Sequence, residues 1–279
     1  MSDNLKVIFF ADLVGKPGRQ ALSQLCRPLK ERFGADLVIA NVENVAGGFG
    51  VTPEMSRKIF RYGVDVQTSG NHIWDRVDII SYIKEEDRLL RPANFPGRAP
   101  GKGSYVIDLF YHKVGVINLM GRTFMKDIDC PFRTADRELE KIGDKTKIII
   151  VDMHAEATSE KQAMWAYLDG RVSAVIGTHT HVQTADETIS EEGTAYISDV
   201  GMSGPHDSIL GMKKEAALGR FLTGMPKRMS CADGDVKLCG VALEIEGETG
   251  RALSIERIKE DFNPLDMDTS ENESEFNDD

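Results

Sequence analysis

The chain has 279 residues, of which 41% are hydrophobic and 28% are charged, a composition that is typical of a globular protein with a sizeable core. The formal net charge is -11, and eight acidic side chains with no Lys or Arg are concentrated in residues 261–279. Because neither half of the chain is strongly basic, these numbers exclude long duplex nucleic acid as an expected partner.

Strands and helices alternate in the first part of the chain. Apolar runs closed by polar turn residues predict three strands, over residues 6–11, 36–42 and 64–68. Apolar residues at helical spacing predict a helix between the first two strands, with Pro28 inside the pattern as a source of a kink and Gly34 at its end. Thr52 and Pro53 have the residue types of an N-cap and a first helical position, so a second helix is predicted from there to Gly63.

The N-terminal segment contains only a short apolar run, residues 7–11, before Asp12. That run is too short for a signal-peptide core or a membrane span, and no later segment is long enough either. The four cysteines lie far apart and form no CxxC pair, which is typical of thiols in a reducing compartment. We therefore expect a cytoplasmic protein that does not bind a membrane.

The second part of the chain continues the pattern with longer interruptions. Four further strands are predicted, over residues 114–119, 147–153, 172–176 and 194–197. A short helix is predicted for residues 161–168, and residues 236–258 alternate in polarity like two strands joined by a hairpin at residues 246–250. Alternating strands and helices predict an α/β protein. We expect one domain over residues 1–260 and a solvated acidic tail over residues 261–279, with an acidic interaction segment as the alternative reading of the tail.

Candidate metal ligands follow five of the predicted strands, at the point where each strand ends. These residues are Asp12, Glu43 with Asn44, Asn71 with His72, His154, and His179 with His181. In α/β proteins, binding sites form beyond the carboxyl ends of the strands. We therefore expect these side chains to meet at one edge of the sheets.

Each of these residues taken alone has an ordinary structural explanation. Asp12 could cap a helix, Glu43 could belong to a turn, and His154 could be a satisfied core histidine. His179 and His181 differ, because two imidazoles placed two residues apart after a buried strand are costly to bring together without a cation. The shared position of all these residues at strand ends favours one common site over independent structural roles.

The residue types indicate metal-dependent phosphoryl chemistry. Neutral imidazole and carboxylate together suit borderline metals such as Mn, Fe and Zn. Two such cations about 3.5–4 Å apart can hold the attacking and leaving oxygens of a phosphoryl displacement, and they lower the pKa of a bound water. Covalent serine catalysis is disfavoured, because neither Ser69 nor Ser203 lies in a GxSxG elbow. The glycines of residues 47–50 are not followed by the lysine of a P-loop.

The ordered set of residues at the strand ends resembles the calcineurin-like metallophosphoesterases. Three segments more narrowly resemble the YmdB-like branch of bacterial proteins, namely residues 12–19 (DLVGKPGR), 41–44 (NVEN) and 198–205 (SDVGMSGP). The similarity extends over roughly residues 6–260. It implies the calcineurin-like metallophosphoesterase fold, in which two stacked mixed sheets are flanked by helices as a four-layer sandwich.

Two positions differ from the wider superfamily and agree with the narrower branch. The usual Asp-x-His pair is Asp12-Leu13-Val14 here, so one histidine ligand is absent. The usual bridging aspartate is Glu43, and Asn44 follows it. The resemblance implies that Asn44 takes the place of the missing histidine as a ligand.

The resemblance also implies a site for two divalent metal ions, with Fe or Mn expected and Zn as the alternative. Glu43 would bridge the two cations. The ligands of the first cation would be Glu43, Asp12, Asn44 and His181, and those of the second would be Glu43, Asn71, His154 and His179. His72 would not bind metal, and its imidazole would protonate the leaving alkoxide as a general acid.

The implied function is a phosphodiesterase that uses hydroxide formed at the metals to hydrolyse small phosphodiesters, with 2′,3′-cyclic nucleotides as the expected substrates. A phosphomonoesterase or nucleotidase of the same superfamily is an alternative, because the sequence does not show the shape of the loops that form the substrate pocket. A non-catalytic metal-binding regulatory protein is a second alternative, supported by the acidic tail alone. An unligated His72 favours catalysis, since a structural site needs no proton donor. The expected partner is a small nucleotide, and assembly into a homo-oligomer stays open.

Overall fold

Residues 4–263 are described by the structure, which is a computed structural model. The described chain contains strands and helices that alternate along most of its length. The strands are β1 (Asn4–Phe10), β2 (Asp12–Leu13), β3 (Leu37–Asn41), β4 (Val66–Thr68), β5 (Ser104–Asp108), β6 (Lys113–Met120), β7 (Ile148–His154), β8 (Ala174–Thr178), β9 (Thr188–Ile189), β10 (Ala195–Ile197), β11 (Met202–Pro205), β12 (Val236–Glu246) and β13 (Ala252–Phe262). The helices are α1 (Gly15–Phe33), α2 (Pro53–Tyr62), α3 (Ile79–Tyr82), α4 (Pro131–Ile142), α5 (Thr158–Leu168) and α6 (Lys214–Thr223).

The strands form two mixed sheets. The first has the order β2-β11-β12-β1-β3-β4, and β13 also pairs with β12. The second has the order β5-β6-β7-β8-β10-β9. Strands β1, β3 and β4 run parallel in the first sheet, and β6, β7 and β8 run parallel in the second. The carboxyl ends of each parallel set therefore lie along one edge of its sheet.

Three clusters of buried apolar side chains hold these elements together. One cluster joins the facing surfaces of the two sheets and includes Phe9 and Ile39 from the first sheet and Ile150 from the second. A second cluster packs α1 and α2 onto the other face of the first sheet. A third packs α4 and α5 onto the outer face of the second sheet. Removing these surfaces from water is the main favourable term in folding, at about 25 cal/mol per Å² of apolar area.

The predicted strands and helices of the first part of the chain are confirmed, with small differences at their ends. Gly34 ends α1 in the left-handed conformation at φ 61°, and the Thr52 side chain accepts a hydrogen bond from the backbone N of Met55. The helix α1 continues through Pro28 and is longer than its apolar pattern indicated. Proline lacks an N–H and costs an internal helix hydrogen bond, so packing of α1 on the first sheet outweighs this local preference.

The last strand extends further than the sequence suggested. Asp261 pairs with Lys237, and Phe262 pairs with Val236, so β13 continues two residues into the segment assigned to the acidic tail. The end of β13 is set by its pairing with β12, and a count of acidic residues does not detect such pairing. Residues 264–279 of that segment lie outside the described residues. None of the helices described within residues 4–263 is both long enough and apolar enough to cross a membrane.

Candidate metal centre

All eight residues singled out from the sequence lie at the carboxyl ends of the parallel strands. Each residue lies at or just beyond the end of a strand, as its place in the sequence indicated. Asp12 follows β1, Glu43 and Asn44 follow β3, Asn71 and His72 follow β4, His154 ends β7, and His179 and His181 follow β8. A continuous set of short contacts joins them across the two sheets, so the structure brings the whole group together.

One half of the group converges on the imidazole of His154. Its Nε2 lies 3.0 Å from Glu43 Oε1, 3.0 Å from Asn71 Oδ1 and 3.0 Å from His179 Nδ1. The donor atoms of Glu43, His154 and His179 lie within 4.8 Å of one another. A single N–H satisfies only one acceptor well, whereas a cation accepts several lone pairs at once. These side chains can therefore hold a metal ion.

The other half of the group contains a buried oxygen without a partner. His181 Nε2 lies 3.2 Å from Asn44 Nδ2 and 3.9 Å from Asp12 Oδ2. Asp12 Oδ1 is buried and has no hydrogen-bond partner among residues 4–263. An unsatisfied buried carboxylate oxygen is costly, and its presence in a native protein calls for an explanation such as a bound ion. The residues present thus fit a divalent cation.

Close approach of the backbone shapes the same edge. A Cβ on Gly70 would lie 2.2 Å from two ring atoms of His154, so no larger residue fits at that turn. His179 and His181 have φ values of 101° and 62°, in the left-handed region that non-glycine residues rarely adopt. Such strain persists where the surroundings impose it, and it is concentrated at functional sites.

A buried ion pair holds the strained loop. Lys161 Nζ donates to Asp199 Oδ2 at 2.8 Å, and both side chains are only 1% exposed. The backbone N of Thr180 donates to the same carboxylate oxygen at 2.9 Å. Asp199 therefore anchors the loop that presents His179 and His181.

A second buried carboxylate orients His154. Thr178 Oγ1 lies 2.9 Å from His154 Nδ1 and donates to Asp152 Oδ1 at 2.7 Å. Since the hydroxyl gives its own proton to Asp152, it accepts one from Nδ1, which leaves the Nε2 lone pair of a neutral ring directed into the centre. Asn41 and Thr68 donate to the other oxygen of Asp152, at 3.1 Å in the case of Asn41. Asp152 thus ties the two sheets together beneath the metal centre.

The central carboxylate and imidazole stabilise each other's charge. Burial would raise the pKa of Glu43, but the charge of His154 and the hydrogen bond from it outweigh burial and lower that pKa to about 2. Burial would lower the pKa of His154, but the charge of Glu43 and the hydrogen bond to it raise that pKa to about 9. In the protein without metal, the two side chains therefore form a buried ion pair.

The other ligand candidates respond mainly to burial. Burial raises the pKa of Asp12 well above its ordinary value. Burial and the charge of His154 lower the pKa of His179 to about 3, and burial also lowers the pKa of His181. Both of these rings are neutral at pH 7 and carry a lone pair for a cation. A bound cation would displace the proton of His154 and favour the ionised form of Asp12.

His72 stands beside the centre in a different way. Its backbone N donates to Glu43 Oε2 at 2.8 Å, whereas its ring Nδ1 lies 2.7 Å from Asp75 Oδ2. The ring packs edge-on against Phe49, with the centroids 5.1 Å apart, and its side chain is 28% exposed. With Nδ1 bonded to Asp75, Nε2 is left for a group in the cavity.

A cavity of about 480 Å³ opens onto the centre. Its size lies within the range that is typical of small-molecule sites. Glu43, His72 and His179 line this cavity, and so do apolar side chains such as those of Met212 and Phe221. The arrangement can place a small anionic molecule between candidate metal ligands and an apolar surface.

Several residues of the centre were missed from the sequence. Asp152 and Asp199 orient ligand candidates, Asp75 contacts His72, and Glu156 Oε2 lies 3.1 Å from His179 Nε2. Asp152 did carry a signal, because it is a carboxylate within the otherwise apolar segment 148–153. Asp75 carried none, since an aspartate in a polar turn is ordinary.

The chain is similar to known proteins over almost its whole length. Residues 8–258 match the family described as YmdB-like protein. Over 254 residues the chain is 45% identical to the 2′,3′-cyclic-nucleotide 2′-phosphodiesterase of Bacillus subtilis (strain 168), and the match covers 91% of this chain and 96% of that protein.

Two solved structures have the same fold over almost their whole length. A hypothetical protein from Thermus thermophilus is 40% identical with a TM-score of 0.86, and the match covers 93% of this chain and 100% of that one. A protein from Mycoplasma pneumoniae described as a novel phosphatase is 33% identical with a TM-score of 0.87, and the match covers 96% and 98% of the two chains.

Proposed function

The chain belongs to the YmdB-like family, and from this premise we propose that it is a metal-dependent phosphodiesterase that hydrolyses 2′,3′-cyclic nucleotides. The observation that carries the proposal is the convergence of carboxylate, amide and imidazole donors around Glu43 and His154 beside a cavity of nucleotide-binding size. The 45% identity to a 2′,3′-cyclic-nucleotide 2′-phosphodiesterase supports this substrate class. The proposal includes the four-layer sandwich of two sheets between helices that is expected for this superfamily.

The centre is proposed to bind two divalent cations, Fe or Mn, with Zn as the alternative. Glu43 would be a ligand to both. The remaining ligands would be Asp12, Asn44 and His181 for one cation and Asn71, His154 and His179 for the other. When bound, such a pair supplies a nucleophile from water and stabilises the negative charge that develops on the phosphate. The neutral imidazoles and the orphaned oxygen of Asp12 support this assignment.

The protein's own contribution to the chemical step is proton transfer and orientation. The oxygen of a water adds to phosphorus while the bond from phosphorus to the ribose 2′ oxygen breaks. His72 gives a proton from Nε2 to the departing oxygen, and Asp75 holds the opposite ring nitrogen so that Nε2 faces the cavity. Met212 and Phe221 also line the cavity and offer apolar contact to the base of the substrate.

A substrate panel measured together with the metal content tests the proposal. The purified protein is expected to hold about two cations per chain and to convert 2′,3′-cAMP to 3′-AMP, with much less turnover of 3′,5′-cAMP. Preferential hydrolysis of p-nitrophenyl phosphate over bis-p-nitrophenyl phosphate would instead indicate a phosphomonoesterase. Absence of turnover in protein with a full metal content would contradict catalysis altogether. The isosteric variant Glu43→Gln serves as the control, because it keeps the shape of the site and removes the central charge.

A further inference from the structure

A segment of the chain beside the metal centre has its two ends paired with each other. Residues 213–230, here called the rim segment, lie between Met212 and Cys231, which form an antiparallel bridge. The backbone N of Lys213 donates to the carbonyl of Ser230 at 3.0 Å, and the N of Ala232 donates to that of Gly211 at 2.9 Å. The rim segment, which contains α6, is therefore held in place next to the centre.

The rim segment forms one wall of the cavity over the metal centre. Ala217, Arg220 and Phe221 line the same cavity as Glu43 and His179. Their spacing of three and four residues puts them on one face of α6. A molecule that extends out of the centre on this side must therefore pass along the rim segment.

Large apolar side chains on the rim segment are uncovered by the rest of the described chain. The exposed fraction is 80% for Phe221, 82% for Leu222 and 63% for Met225. Isolated apolar side chains at a surface are ordinary, but a group of them beside a functional cavity indicates a binding surface.

The rim segment is basic in an acidic protein. It contains five Lys or Arg residues and a single acidic residue, whereas the whole chain has a net charge of -11. Lys214 pairs with Asp207, but Arg220, Lys227 and Arg228 make no ion pair with another described residue. Within residues 4–263, these cations are therefore free to meet an anionic partner.

A second loop that combines an exposed aromatic ring with a cation contacts a residue of the centre. Phe124 follows β6, is 90% exposed and has a φ of 61°. In the same loop, Lys126 Nζ donates to the carbonyl of Asn71 at 2.9 Å, which puts this loop against the metal centre. Both the rim segment and the Phe124 loop therefore combine an exposed aromatic ring with cations near the centre.

We infer that the enzyme acts on the 2′,3′-cyclic phosphate at the end of a single-stranded oligoribonucleotide, with the rim segment and the Phe124 loop binding the nucleotides that precede it. The inference rests on the proposed function. Single strands are bound by aromatic rings that stack on bases and by cations that follow the phosphates. Hydrolysis adds water across the bond to the terminal 2′ oxygen and leaves a 3′-phosphate on a strand of unchanged length, so all atoms are accounted for without a further reactant.

An anionic membrane is the rival partner for a surface that combines Lys and Arg with Phe, Leu and Met. The cavity face of α6 favours the oligonucleotide, because Arg220 and Phe221 line the same cavity as Glu43 and His179, where a strand that extends from the centre would contact them. Binding to an anionic membrane is therefore one of the outcomes that the test distinguishes.

The test compares 2′,3′-cAMP with a hexaribonucleotide that ends in a 2′,3′-cyclic phosphate. We expect kcat/KM to be at least about tenfold higher for the hexamer, since each stacked base contributes measurably to binding. The logarithm of kcat/KM should also fall more steeply with the logarithm of the salt concentration for the hexamer. Each phosphate that the protein contacts should make this slope more negative by about 0.7. Equal kcat/KM and equal salt dependence for the two substrates would overturn the inference while leaving the proposed function intact. No turnover of 2′,3′-cAMP would instead refute the proposed function.

A variant and a matched control locate the surface. The double variant Leu222→Ser with Lys227→Gln should lower kcat/KM more for the hexamer than for 2′,3′-cAMP. The control is Phe110→Ser with Lys113→Gln, which alters an exposed aromatic and a cation at the opposite end of β6 and should leave the ratio between substrates unchanged. The inference would be overturned if the ratio of kcat/KM for the hexamer to kcat/KM for 2′,3′-cAMP were the same in both double variants. It would also be overturned if the enzyme bound anionic phospholipid vesicles through the rim segment and showed no preference for the hexamer. If the rim variant does not fold, the salt dependence of the unmodified enzyme decides.

Discussion

The buried pair of Glu43 and His154 makes the stability of the metal-free protein depend on pH in a defined direction. The pKa of His154 is raised from 6.5 to about 9 in the folded chain, mainly by Glu43 acting against burial. A histidine with a raised pKa stabilises the fold while it is protonated. This contribution is complete below pH 6.5, declines as the pH rises, and is lost above about pH 9.

The size of the effect follows from the two pKa values. At about 1.4 kcal/mol per pKa unit, their difference corresponds to about 3 kcal/mol of unfolding free energy. The lowered pKa of Glu43 reports the same interaction from the other partner, so the two contributions are not added. A change of this size is a large part of the stability of an ordinary domain, which is about 5–15 kcal/mol.

Urea unfolding of the chelator-treated protein at about pH 6 and about pH 10 measures the change. Other groups titrate in the same range, so the relevant quantity is the difference between the unmodified protein and His154→Gln, which keeps a hydrogen-bonding side chain but cannot be charged. We expect the unmodified protein to lose about 3 kcal/mol more than the variant between the two conditions. An equal loss in both proteins, or a gain in stability of the unmodified protein on raising the pH, would refute the ion pair.

Three further predictions concern individual residues of the centre. Glu43→Ala should lose both cations if Glu43 is a ligand to both as proposed, and elemental analysis that still finds two ions per chain would rule out that role. His72→Ala should keep both cations and lower kcat by about 10²–10⁴-fold on 2′,3′-cAMP, with a smaller loss on bis-p-nitrophenyl phosphate, whose leaving group needs little protonation; an equal loss on both substrates, or loss of metal, would exclude His72 as the acid. Asp152→Asn should weaken metal affinity by about 10–100-fold, because the carboxylate that orients Thr178 and His154 is lost. A metal titration checks this last effect, and unchanged affinity would show that Asp152 serves only the packing of the two sheets.

The positions of the strands and of the candidate ligands could be predicted because both depend on local patterns. An apolar run that ends in Asp12, Glu43 or His154 already indicates a buried strand with a polar group at its carboxyl end. The helices α3, α4 and α6 and the strands β2, β5, β9 and β11 were missed. Two of those strands have only two residues each, which is too few for an alternating pattern to be recognised.

The hydrogen bonds of Asp152 illustrate what a local pattern does not contain. Its partners Asn41 and Thr68 belong to the first sheet, whereas Asp152 and Thr178 belong to the second. Asn41 and Asp152 are separated by 111 residues in the chain. Their contact exists only because the two sheets pack face to face in this register.

The residue types at the ends of the strands can be recognised from the sequence alone, and with them the combination of carboxylate, amide and imidazole in the site. The packing of the two sheets brings the donor atoms to within about 3 Å of one another, lets Asp152 and Asp199 hold them there, and puts an exposed basic segment at the same cavity. The physical reason is that burial and hydrogen bonding within one element follow from neighbouring residues. Distances between elements depend instead on strand order and on the packing of one sheet against the other.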